Sequence, residues 1–182
     1  MPALELSSED HKVLTELRER RILDDIDPHR LEDPSSVVMV SCADGHQMAD
    51  VFHYQEKICG QNGGPVVHTI ALNGGALLIP PDSVVSIGTP DGEVIRRHAI
   101  ARCAMKGINT LAFYSHAPCG AARTHGLNAV DVISLTLRAK VYMRETLDRE
   151  NFRMACFVHV DWGSKKRTYF IHKNEFHQWA SK

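Results

Sequence analysis

Two apolar runs in this chain end in cysteine and histidine, and that coincidence constrains the fold more than any other feature. Ser36-Val37-Val38-Met39-Val40-Ser41 leads into Cys42-Ala43-Asp44-Gly45-His46. Thr110-Leu111-Ala112-Phe113-Tyr114-Ser115 leads into His116-Ala117-Pro118-Cys119-Gly120. Continuous apolar runs suit strands covered on both faces. Each motif then falls where a buried strand emerges into a loop, the end of a parallel sheet that carries ligands and chemistry. Two thiolates and one imidazole, with a carboxylate beside them, are the donor set of a tetrahedral zinc site. A single cysteine at a strand end is usually a small buried hydrophobe. The joint pattern is what makes Cys42, Asp44, His116 and Cys119 candidate metal ligands. The motifs are far apart in sequence, so neither is a local zinc knuckle, and the fold must bring them together.

The rest of the chain alternates between strand-like and helix-like stretches. Ser7 or Ser8 caps a first helix with Glu9 and Asp10 in its first turn. Val13, Leu14, Leu17 and the Ile22–Leu23 pair form its apolar stripe. Asp27-Pro28 and Asp33-Pro34 break the chain before the first core strand. A helix is expected over about 46–58, a loop over 60–65 and a strand over 66–72 that ends in Asn73-Gly74-Gly75. Pro80-Pro81 and Pro90 argue for irregular structure over 76–91. A helix over 92–107 stops at Gly107, and a strand over 109–115 follows. Val130, Ile133, Leu137, Val141 and Leu147 mark a helix over 128–149. Strand 154–160 then turns through 161–166 into an antiparallel partner at 168–171. The expected architecture is α/β: a mostly parallel central sheet flanked by helices, with an antiparallel C-terminal edge. Residues 1–182 read as a single domain, with 1–33 as an N-terminal helical arm.

Composition narrows the function. Lysine and arginine number 21 against 22 acidic residues, leaving no basic excess to recruit nucleic acid or an anionic membrane. The dense basic run Lys165-Lys166-Arg167 follows Gly163-Ser164 and reads as a solvated hairpin turn. No stretch approaches the roughly 20 apolar residues of a membrane helix, and the N-terminus lacks the pattern of a signal peptide. Five unevenly spaced cysteines suit a reducing compartment, so a cytoplasmic location is expected. Cys59, Cys103 and Cys156 lie within helix or strand patterns and read as core thiols, and His68 reads as a strand residue.

The two motifs and their order resemble the β-class carbonic anhydrases. Cys42-Ala43-Asp44 is similar to the start of that family's Cys-x-Asp-x-Arg motif, and His116-Ala117-Pro118-Cys119-Gly120 to its His-x-x-Cys-Gly motif. Val66–Gly75, the helix and strand over 92–115, and the pair around Val158–Asp161 and Tyr169-Phe170 are similar as well. The likeness covers about residues 34–172, least closely in 76–91. It implies zinc held by Cys42, His116 and Cys119, with Asp44 or solvent in the fourth position. It implies hydration of carbon dioxide to bicarbonate by zinc-bound hydroxide. It also implies a homodimer or higher homo-oligomer, with the N-terminal helix wrapping a neighbour or packing on its own subunit.

One departure bears on activity. Where the family has an Arg that grips the Asp and keeps it off the metal, this chain has His46. A histidine near neutral pH holds a carboxylate less firmly than an arginine. Asp44 and His46 are thus the candidate catalytic pair, with weak or pH-restricted activity expected. Arg123 and His125 are candidates to replace the missing Arg. The family's Gln ahead of the first motif has no counterpart in residues 24–41. Two alternatives stay open: a catalytically silent homologue with a closed structural zinc site, acting in binding or assembly, and a hydrolase of carbonyl sulfide or carbon disulfide.

Overall fold

The computed structural model describes residues 4–25, 36–59, 66–86, 88–147 and 152–182, with the backbone alone for 57–59. The two Asp-Pro steps, the loop over 60–65 and the Cys59 side chain lie outside the described residues.

The first helix, α1 (Ser8–Glu19), begins where the Ser7 side chain accepts the Asp10 N–H. Its stripe is shorter than the apolar pattern suggested. Arg21 adopts a left-handed φ of 56° and ends the helix, so Leu23 enters a short strand, β1 (Leu23–Asp25). The core strands are β2 (Ser36–Cys42), β3 (Val66–Leu72), β4 (Thr110–Ala117), β5 (Arg153–Asp161) and β6 (Lys166–Ile171). Between them lie α2 (Met48–Cys59), α3 (Asp91–Lys106), α4 (Gly120–Thr124) and α5 (Ala129–Thr146). A further helix, α6 (Lys173–Ala180), was not evident from the sequence.

The six strands form one sheet in the order β1-β6-β5-β4-β2-β3. Strands β3, β2, β4 and β5 are mutually parallel, β6 is antiparallel to β5, and β1 is antiparallel to β6. The mostly parallel α/β sheet with an antiparallel edge is therefore as expected, and β1 adds an outermost strand from the N-terminal segment.

Alternation along the strands divides the core. Val38, Val40, Leu111, Phe113, Val158 and Val160 face the larger layer, built from α1, α3, α5 and α6. Val37, Met39, Ala112, Tyr114, Ala155 and Phe157 face α2 through Val51. Burying each large apolar side chain contributes about 1.5–3 kcal/mol, so both layers favour one register. Tyr114 donates its buried hydroxyl to Gln55 Oε1 at 2.8 Å, which ties α2 to the middle of the sheet. Of the two placements open to the N-terminal arm, α1 takes the one on its own chain. Leu14 and Leu17 are fully buried, Asp10 Oδ1 accepts the Ala129 N–H at 2.7 Å, and Trp179 donates to Glu16. Residues 75–78 form a buried 3₁₀ turn within the segment expected to be irregular. No described helix is long and apolar enough to cross a membrane.

Candidate metal centre

Cys42 is the last residue of β2, His116 the last but one of β4, and Cys119 directly precedes α4. β2 and β4 are neighbours, paired in parallel from Val38↔Leu111 to Val40↔Phe113, so their carboxyl ends lie side by side. The donor atoms of Cys42, His116 and Cys119 all lie within 4.8 Å of one another, and all three residues are buried. A tetrahedral ion bound at about 2.3 Å needs donors about 3.8 Å apart, so small shifts seat it.

Main-chain groups prepare each donor. His116 Nδ1 lies 2.8 Å from the Pro118 carbonyl. A carbonyl only accepts, so Nδ1 carries the proton and Nε2 presents its lone pair. Nε2 is buried and has no hydrogen-bond partner, an arrangement that costs free energy unless a ligand meets it. The Gly74 N–H donates to Cys42 Sγ at 3.2 Å. The proton between the two sulfurs rests on Cys119, which holds the Cys42 thiol far below its ordinary range, with help from His116 and Gly74 against the opposing effect of burial. Cys119 is correspondingly raised, first by the neighbouring Cys42 sulfur and then by burial, although the Ala122 and Ala121 N–H groups face it. A shared proton at two buried sulfurs is what a divalent cation displaces. Thiolates and a neutral imidazole are a donor set that suits zinc.

Asp44 stands at the rim. Its Oδ2 is 4.0 Å from His116 Nε2, and its Oδ1 accepts the main-chain N–H of His46 at 2.9 Å. The His46 side chain is exposed. Neither substitute for the missing arginine turns toward Asp44. Arg123 donates to the Glu5 carbonyl, 2.5 Å away, and His125 Nδ1 donates to the Ala121 carbonyl. His68 is a strand residue in β3, and Cys103 and Cys156 are buried free thiols, as expected.

A polar group beside the centre escaped the sequence reading. His159 lies opposite His116 in the β4–β5 register, and Asp161 follows two residues later on the same face. Gln47, ahead of α2, donates to Asp161 Oδ2 at 3.3 Å. His159 is fully buried, with Nδ1 2.8 Å from Thr168 Oγ1. Gln47 Oε1 and His159 Nε2 are, with His116 Nε2, the buried side-chain atoms without a hydrogen-bond partner among the described residues. All three residues stand at the carboxyl end of the sheet. The alternation His159-x-Asp161 was the available signal, but only the register shows which strand it faces. Lys166 corrects the reading of the basic run as a solvated turn. It opens β6, donates to the His46 carbonyl at 2.6 Å, and pairs with Asp50 at 3.3 Å and Asp161 at 3.7 Å. It thereby fastens the β5–β6 hairpin to the loop carrying Asp44.

The sheet and the Cys-His-Cys group define an α/β protein with a candidate metal centre. Among solved structures, the backbone is similar to the beta-carbonic anhydrase CcaA. The TM-score is 0.45 at 12% identity, covering 90% of this chain and 83% of that one. It is also similar to the beta-carbonic anhydrase CafD of the filamentous fungus Aspergillus fumigatus. There the TM-score is 0.42 at 11% identity, covering 82% of this chain and 99% of that one. No family model and no curated protein matches the chain.

Proposed function

We propose that this chain hydrates carbon dioxide to bicarbonate, using zinc held by Cys42, His116 and Cys119. The observation that carries this reading is the convergence of two motifs from distant parts of the sequence, with the lone pair of His116 aimed at the place the sulfurs share. Zinc at such a site supplies Lewis acidity and makes hydroxide available near neutral pH. The chain's own residues do the remainder. The Pro118 carbonyl fixes the imidazole, and the Gly74 N–H steadies Cys42. Asp44 keeps Oδ1 on the His46 N–H, which leaves Oδ2 to accept a hydrogen bond from the attacking water and orient it. In this reading His46 acts through its main chain. The four described cysteines are free thiols, which supports a reducing compartment such as the cytoplasm.

A second reading has its own support. With Oδ2 beside His116 and no arginine drawing it away, Asp44 is placed to become the fourth ligand of a closed structural site. Stopped-flow hydration of carbon dioxide by the zinc-loaded protein, from about pH 6.5 to 9, separates the two. The proposed function predicts a rate above buffer background within that range. Background rates throughout, with zinc still bound, would leave the closed site standing. Carbonyl sulfide and carbon disulfide belong in the same assay as competing electrophiles.

A further inference from the structure

β3 is the outermost strand on the β2 side of the sheet, and no described residue pairs with its free edge. Edges of this kind are normally blunted by charge, proline or a bulge, because an open one recruits another strand. Val66-Val67-His68-Thr69-Ile70-Ala71-Leu72 has no charged residue, no proline and no glycine. Val66 is 51% exposed.

The helix beside this edge continues the apolar surface. Met105 is 72% exposed and Val94 40%. Four of the six large apolar side chains that are exposed among the described residues belong to β3 and α3. A cleft lined by Thr69, Ile70, His98, Ala101 and Met105 joins the two elements. Charge along the helix is ordered as well. Asp91 and Glu93 open α3, and Arg102 and Lys106 close it. Burial, followed by the positive charges of Arg102 and Lys106, holds the His68 imidazole below its ordinary range, which places those cations near the strand.

We propose that β3 and α3 form a contact surface for a second copy of this chain, with β3 antiparallel to its counterpart across a two-fold axis. Such an axis, perpendicular to the sheet, keeps each face on its own side and sets α3 antiparallel to the other α3. The acidic start of each helix then meets the basic end of the other, and Val94 meets Met105. A parallel approach would put like charges together and leave one end of each helix unmatched. The surface is thus complementary to itself in one orientation, which favours a copy of the chain over an unrelated partner.

Sedimentation velocity at micromolar concentration tests this without reference to activity. The wild-type protein should sediment at twice the 20.3 kDa chain mass. Arg102→Glu with Lys106→Glu makes both helix ends acidic, and Asp91→Lys with Glu93→Lys makes both basic. Each double variant alone should associate at least about tenfold more weakly. An equimolar mixture should recover the dimer, because each end again meets its opposite, and that recovery also shows that both variants fold. Met105→Glu, at a position that folding leaves in solvent, should weaken the dimer as well. A monomeric wild type would overturn the proposal. So would double variants that dimerise like the wild type, or a mixture that stays monomeric while both components keep native circular dichroism.

Discussion

A single carbonyl decides which nitrogen of His116 faces the cysteines. Pro118 can only accept, so the proton goes to Nδ1 and the lone pair to Nε2. The same economy holds at Cys42, steadied by the Gly74 N–H, and at Asp44, steadied by the His46 N–H. This is why the ligand types were legible in the sequence and their orientation was not. Every residue except proline supplies an N–H and every residue a carbonyl, so nothing in the letters marks which ones will serve. Replacing Cys42 or Cys119 by Ser exchanges a thiolate for an alcohol that stays protonated. We expect about one zinc per chain in the wild type, and an affinity at least about tenfold lower in either variant. Because metal-binding energy at such a site is also folding energy, the urea midpoint should fall with it. Competition with a chromophoric chelator, followed by urea titration of the same samples, measures both. A serine variant that retains full zinc affinity would remove that sulfur from the ligand set.

At the scale of elements, the turn after β3 holds Cys42 in place. Gly75 sits at φ 51°, and a Cβ there would lie 2.3 Å from the Ser41 carbonyl carbon and 2.4 Å from the Cys42 nitrogen. Backbone cannot yield as a side chain can. The sequence pointed instead to Gly120 as the glycine of close approach. A Cβ at Gly120 would meet nothing nearer than Leu4 Cδ1 at 3.5 Å. The Asn73-Gly74-Gly75 loop was visible as a turn, but its role depends on β3 lying beside β2, which composition does not reveal. The other elements fared according to their periodicity. α5 was plain from its 3.6-residue stripe, whereas β1 and α6 are too short to carry a period. Gly126 provides the comparison, with φ 70° and no atom within 4 Å of its would-be Cβ. Gly126→Ala should cost only the left-handed backbone, about 1–2 kcal/mol. Gly75→Ala adds overpacking of about 1–3 kcal/mol or more and displaces Cys42, so it should also lower zinc content. Equal unfolding midpoints for the two variants, with zinc retained in both, would show that the turn gives way freely.

For the whole molecule, the sheet separates reactive sulfur from inert sulfur. Cys42 and Cys119 meet at its carboxyl end, while Cys156 lies on β5 against α5, where its thiol donates to the Thr136 carbonyl at 3.5 Å. Both kinds were distinguishable in the sequence by their neighbours: motif and loop for one, apolar strand for the other. The strand order was not legible, because it depends on which apolar faces bury together; hence the neighbours of His116 in β5 stayed hidden. Burial raises the Cys156 thiol from an ordinary 9.0 to about 12, outweighing the nearby Lys140 and Lys173 charges. The unfolded chain therefore loses this proton near pH 9 while the folded chain keeps it. Stability from this thiol is fully present below pH 9 and declines by about 1.4 kcal/mol per pH unit above it. Between pH 9 and 11 the loss is about 3 kcal/mol. Cys156→Ala should cost about 1 kcal/mol through a small cavity, an offset independent of pH. The variant's stability should then fall less steeply, so that the two urea-derived curves converge and cross as pH rises. Cys103, raised by burial to about 11, and the metal ligands contribute alike to both proteins and cancel in the difference. Curves that run parallel from pH 8 to 11 would mean that Cys156 ionises in the native state, and that water reaches the layer between β5 and α5.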